Sequence, residues 1–279
     1  MRTARLYRRR VIPAPRPVAK GTAASADGAR IAWYRYGGGE RTVVFVPTWN
    51  LVDARVVGHQ VAALEPHADV VTYDPRGAGA SERPERGYDF PLHAADALAV
   101  LDACGVDRAA LVTASRGLNA ALLLIADAPE RVERLVVVAP YMQLDPEPPP
   151  PSSKWIDTLR NDWRGFIVPF MHAVFTEPDS ADVIEEMIAI GLDATPDVVA
   201  TQETELDWTR PARLLGKVTC PTLVVHGVAD APVPVELAER IVAAMPNARL
   251  EVIPGGGHRP DIRTPELVNP LLLEFLLDR

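Results

Sequence analysis

AALVTASRGL, residues 109–118, places a strand, a turn and a helix start within ten residues. Ala109-Ala110-Leu111-Val112 is a short apolar run of strand formers. Thr113-Ala114-Ser115-Arg116-Gly117 is a tight turn, and NAALLLIA over 119–126 reads as a helix packed on an apolar face. Strand, sharp turn carrying a serine, buried helix is the geometry of a nucleophile elbow, in which the turn lifts the hydroxyl of Ser115 clear of the backbone above the end of a sheet. The helix start also points free backbone N–H groups toward any oxyanion formed there. Taken alone, a small-x-Ser-x-Gly string fits equally a serine that only caps a helix. Its weight depends on what the rest of the chain supplies, and in what order.

TVVFV (42–46) and DVVTY (69–73) precede this stretch as buried strands, and RLVVVA (134–139) follows it. Helices are expected over 54–64 and 91–104. Residues 21–25 and 30–36 form an antiparallel hairpin with Asp27-Gly28 near its turn. Continuously apolar strands alternating with helices mean a parallel sheet covered on both faces. The alternation breaks at Pro140, where Pro146 and Pro148 to Pro151 make a stiff connector. Residues 154–215 are helical and carry Trp155, Trp163, Phe166, Phe170, Phe175 and Trp208. The alternation resumes with a strand over 222–226, a helix over 235–245, a strand over 249–253 and a helix over 265–277. The organisation expected is a flexible basic arm over 1–20, an α/β core over 21–140 and 216–279, and a helical insertion over 141–215.

The 279 residues, 48% hydrophobic and 24% charged, suffice for one large α/β domain with an insertion. A net charge of −8 argues against a nucleic-acid partner. No apolar run approaches a membrane span. Cys104 and Cys220 stand far apart in no metal spacing, and read as reduced core thiols of a cytoplasmic protein. Arg2, Arg5, Arg8, Arg9 and Arg10 form a basic patch without the apolar segment of a signal peptide. It reads as a flexible tail or an arm on the acidic body. Gly77-Ala78-Gly79 is similar to a dinucleotide loop, but Glu82 stands at the third glycine position, and no HExxH spacing occurs. No metal and no cofactor are expected. A homodimer is left open.

Two loops beyond the insertion complete a constellation. The strand over 222–226 runs into Asp230, where α/β folds place chemistry, and the last strand runs through Gly255-Gly256-Gly257 into His258. A serine hydroxyl needs a neighbouring base to become a nucleophile. His258 takes that part and later returns the proton, while Asp230 holds the imidazole tautomer. Backbone N–H groups of Arg116 and of Trp49, in the loop after the 42–46 strand, are the expected oxyanion donors. Singly, Asp230 fits a turn residue and His258 a surface loop. Together they follow Ser115 in order, each past a different strand. Of the other histidines, His59, His93 and His172 lie in helical segments, His67 precedes a strand, and His226 belongs to the turn toward Asp230.

These motifs (DPRGAGAS at 74–81, TASRG at 113–117, PERV at 129–132, HGVADAPVP at 226–234, GGGH at 255–258) make the chain, from about Gly21 onward, resemble the α/β-hydrolase superfamily. The branch it resembles bears a lid and includes esterases, C–C hydrolases and haloperoxidase-like proteins. The resemblance implies an eight-stranded, mostly parallel sheet flanked by helices, with a helical lid over Ser115. Pro47-Thr48 stand where the family usually has His-Gly, so Thr48 is the alternative oxyanion donor. Thr113 replaces the usual first glycine of the elbow and is expected to narrow it.

The activity expected is serine hydrolysis of an ester, thioester or activated carbonyl of a small, largely apolar molecule. Thr48, Trp49, Trp163 and Phe170 are the expected substrate contacts. The same triad also serves a lyase, cyclase or transferase step, and a ligand sensor on this scaffold is the non-enzymatic alternative.

Overall fold

Val43, Val44, Val70, Val71, Leu111, Val136 and Val224 are fully enclosed, on strands whose successive side chains feed opposite faces of one sheet. The structure, a computed structural model, describes residues 11–144 and 151–278. It opens with β1 (Ala19–Ala24), β2 (Arg30–Gly37) and β3 (Thr42–Val46). A 3-10 turn, Ala54–Val57, leads into α1 (Gly58–Leu64), then β4 (Asp69–Tyr73), α2 (Phe90–Ala103), β5 (Ala109–Ala114), α3 (Gly117–Asp127) and β6 (Val132–Val138). The insertion supplies α4 (Ser153–Asn161), α5 (Trp163–Val174), α6 (Ala181–Leu192), α7 (Pro196–Glu205) and α8 (Thr209–Ala212). The core closes with β7 (Thr222–Gly227), α9 (Val235–Ala243), β8 (Ala248–Ile253), α10 (Pro260–Arg263) and α11 (Pro265–Leu277).

The sheet has eight strands in the order β1-β2-β4-β3-β5-β6-β7-β8. β1, β2 and β4 pair antiparallel, and every pair from β4–β3 to β7–β8 is parallel. Val44, Val46 and Leu111 pack on one face with Ala94 and Leu101 of α2 and Leu118 and Leu122 of α3. Val43, Phe45 and Val112 pack on the other with Leu64 of α1 and Val268 and Leu272 of α11. β5 lies between β3 and β6, so the elbow at its end is flanked by the loops that follow both.

A third cluster joins the insertion to the core: Ile156, Phe166, Ile167, Met171 and Ile184 pack with Trp49, Leu51, Val52 and Val56 of the loop after β3. The proline-rich connector falls mostly on 145–150, and the arginine patch on 2–10; both lie outside the described residues. The flexible arm expected over 1–20 is corrected for its second half. Ile12 is buried, the N–H groups of Val11 and Ile12 donate to Glu186 Oε2 at 2.8 and 3.1 Å, and β1 begins at Ala19. Two apolar side chains and two backbone donors give that segment a place on α6. Among the described residues, no helix is long and apolar enough to cross a membrane.

Candidate active site

Ser115 follows β5 with φ +49°, the left-handed region. A residue with a side chain pays about 1–3 kcal/mol there and stays only where its surroundings over-determine it. Its N–H donates to the Val138 carbonyl at 2.9 Å, and its carbonyl accepts from Tyr141 N–H at 3.1 Å. The helix must then pass close to the loop after β3. A Cβ on Gly117 would collide with the Thr113 hydroxyl and stand 2.6 Å from the Pro47 carbonyl. The Thr113 hydroxyl occupies the space beside Gly117 and donates to the Val46 carbonyl at 2.9 Å, joining β5 to the end of β3.

His258 Nε2 lies 3.1 Å from Ser115 Oγ, and Nδ1 lies 2.7 Å from Asp230 Oδ2. The carboxylate accepts, so Nδ1 carries the proton and the Nε2 lone pair faces the serine hydroxyl. The two loops are held as one unit. Gly227 has no side chain because the Gly256 and Gly257 carbonyls occupy that space, and Ala229 N–H donates to Gly256 O at 2.8 Å. The end of α5 is tied to both: His258 N–H donates to Val174 O at 3.0 Å, Gly257 N–H to Glu177 Oε1 at 2.7 Å, and Thr176 Oγ1 to Ala229 O at 3.0 Å.

His226, the last residue of the strand expected over 222–226, lies in β7 and is wholly buried. Its Nε2 is 3.0 Å from the Val233 carbonyl and 3.2 Å from Asp230 Oδ2. A carbonyl only accepts, so Nε2 carries the proton, and Asp230 receives N–H groups from two histidines. Burial alone would raise the Asp230 carboxyl. The bonds from His226 and His258, with Val233 N–H, hold it below the ordinary carboxylate range.

The side chains of the two residues expected to supply oxyanion donors are neighbours. Arg116 is the N-cap of α3, and its guanidinium lies 3.9 Å from the centroid of the buried Trp49 ring. Tyr141 and Trp208 flank the same guanidinium at 5.6 and 5.3 Å, and Glu203 of α7 pairs with it. Thr48 precedes Trp49 in that loop, and Phe170 meets the Trp49 ring edge-on at 5.5 Å. Trp163 has a packing role: its indole N–H donates to Gly191 O of α6 at 3.0 Å, and its ring leans on Phe166. A cavity of about 690 Å³ is lined by Ile12, Tyr34, Asp74 and Glu186 among others, and by none of Ser115, Asp230 or His258. Among the described residues, no cluster of three His, Cys, Asp or Glu could hold a metal.

Glu203 and His226 were missed from sequence. His226 stands four residues before Asp230, a spacing that was visible. Nothing marks Glu203 among the other acidic residues of the insertion.

His93 of α2 accepts from Gln202 Nε2 at 3.1 Å, and burial pushes its imidazole down to about 4. The folded chain therefore binds that proton less readily than the unfolded chain. Stability from this site is present above the ordinary value of 6.5 and falls as pH drops from there toward 4. The melting temperature of His93→Gln is expected to fall less steeply than that of the wild type across this window. Parallel curves would contradict the assignment.

The sheet order and the elbow define the class, and comparison with known proteins supports it. The chain belongs to the alpha/beta hydrolase family, whose model matches residues 43–271, and it is an α/β-fold hydrolase. The RutD protein of Caulobacter sp. (strain K31), named as a carbamate hydrolase, is 32% identical over 232 residues, 78% of this chain and 84% of that protein. The crystal structure of bromoperoxidase from Bacillus anthracis superposes with a TM-score of 0.80 at 25% identity, covering 94% of this chain and all of the other. The structure of an enzyme described as degrading N-acyl homoserine lactones gives a TM-score of 0.79 at 27% identity, covering 90% of this chain and 98% of that one.

Proposed function

We propose that this protein is a serine hydrolase cleaving an ester, thioester or activated carbonyl bond of a small, largely apolar molecule. The observation that carries the proposal is the continuous line from Ser115 Oγ through His258 Nε2 and Nδ1 to Asp230 Oδ2. As Ser115 Oγ bonds to the substrate carbonyl carbon, His258 takes its proton. The carbonyl electron pair moves onto oxygen, which the N–H groups of Arg116 and Trp49 stabilise. The tetrahedral species collapses to an acyl-enzyme, and the His258 proton goes to the leaving group. A water molecule, deprotonated by His258, repeats the sequence and frees the acid. Asp230, kept ionised by its donors, stabilises each imidazolium.

On this reading the helical insertion is the lid, and Phe170, which meets the Trp49 ring edge-on, contacts the substrate together with Trp49 and Thr48 of the loop after β3. The names of a relative and of a structural neighbour support this reading, since a carbamate and an N-acyl homoserine lactone both carry a carbonyl carbon open to a nucleophile. Turnover of an aryl ester in heavy-oxygen water tests it against a lyase, cyclase or transferase step. The label is expected in the carboxylic acid product. An unlabelled acid or an acyl group passed to another acceptor would contradict hydrolysis.

A further inference from the structure

Two neighbouring side chains of α7 reach the residues that flank the proposed oxyanion hole. Gln202 Nε2 donates to Asn50 Oδ1 at 3.3 Å, in the loop that holds Trp49. Glu203 pairs with Arg116, the residue after the nucleophile. Both ion-pair side chains are largely withdrawn from water, at 14% and 8% exposure. The guanidinium carbon sits over the Trp49 ring, 3.9 Å from its centroid, and Phe170 of α5 meets that ring edge-on. The side chain of one proposed donor residue therefore rests on that of the other, and the insertion supplies its counter-charge.

We infer that Arg116 and Glu203 are positioning residues through which the helical insertion sets the geometry of the oxyanion hole, beyond covering the substrate. The inference rests on the serine-triad reading. Without Glu203 the guanidinium is a partly buried charge lacking its carboxylate, and it turns toward water. Trp49 then loses the planar cation that fixes one ring face, and the loop carrying its N–H is free to shift. A lost or displaced oxyanion donor costs up to about 10²–10³ in rate. It weakens the transition state more than bound substrate, so the loss falls on kcat and spares KM.

Phenyl acetate is the probe, because its acyl group is too small to need an apolar pocket. Glu203→Ala is expected to lower kcat about tenfold or more with KM within about twofold. Glu203→Gln, which keeps an oxygen for the guanidinium, retains more. Arg116→Lys keeps the charge but not the planar face, and does not restore the rate. Because Glu203 acts through Arg116, adding Glu203→Ala to Arg116→Met costs nothing further. Additive losses, a change confined to KM, or a kcat loss that tracks a fall in melting temperature overturns the inference. So does a wild-type preference for phenyl hydrogen succinate that strengthens in Glu203→Ala, which would make Arg116 a recognition site for a substrate carboxylate. Wild-type turnover that survives loss of Ser115 overturns the triad reading and this inference together. Ser115-dependent turnover with additive losses overturns this inference alone.

Discussion

Ser115→Ala is expected to lower kcat/KM by roughly 10⁴-fold or more while leaving the melting temperature nearly unchanged. The two halves of that result have separate causes. The activity loss follows because the oxygen that His258 Nε2 faces, at 3.1 Å, is Ser115 Oγ, and alanine removes it. Binding and the oxyanion donors remain, so a small residual rate over water survives. The stability half follows from what holds the turn. The bonds from Ser115 N–H to Val138 O and from Tyr141 N–H to Ser115 O are backbone bonds, which alanine keeps. Alanine at φ +49° meets a strain similar to that of serine. Kinetics on an aryl ester and a thermal melt on the same sample check both. Retained activity would contradict the assignment of the nucleophile, and a large fall in melting temperature would make the loss a folding effect.

Asp96→Ala carries the largest expected cost in stability. Arg76, in the DPRG turn after β4, is wholly enclosed, and so is Asp96 of α2. Arg76 Nε and Nη2 donate to the two Asp96 oxygens at 2.7 and 2.6 Å, a bidentate pair. The same guanidinium reaches Asp27 of the β1–β2 turn at 2.8 Å and the Gly87 carbonyl at 2.5 Å, joining that turn and both ends of the β4–α2 connection to α2. Alanine at 96 leaves a buried cation with one partly exposed carboxylate, Asp27. Removing one partner of such a pair costs about 3–5 kcal/mol, and the melting temperature should fall by roughly 10 °C. Arg249–Glu251, half exposed on both sides, is the control, with an expected cost below about 1 kcal/mol. Equal effects at the two sites would contradict this account of Arg76.

The strands over 42–46, 69–73 and 222–226 were legible because each has a short apolar centre (VVFV, VV, LVV), as burial on both sheet faces requires. The 91–104 helix was legible from the helical spacing of its apolar residues, and it forms as α2. Ser115, Asp230 and His258 were legible as a set because each falls just past a strand, and the backbone delivers them to one end of the sheet. What stayed hidden depends on contacts between segments far apart in the chain. Glu203 looks like any acidic residue of a helix, and only the folded insertion sets it against Arg116, 87 residues away. Trp163 carries the same aromatic signal as Phe170, yet one braces α6 and the other meets Trp49. Residues 11–18 read as tail because their docking surface, Glu186 with the groove beside α1, belongs to distant elements.

Labelling with a fluorophosphonate, followed by peptide mapping, tests the activated serine most directly. The phosphorus centre is attacked by a serine only where a base removes the hydroxyl proton. One adduct, on the peptide carrying Ser115 and lost in His258→Ala, is the expected result. No adduct with either the fluorophosphonate or a smaller organophosphate, or an adduct on another residue, would contradict it.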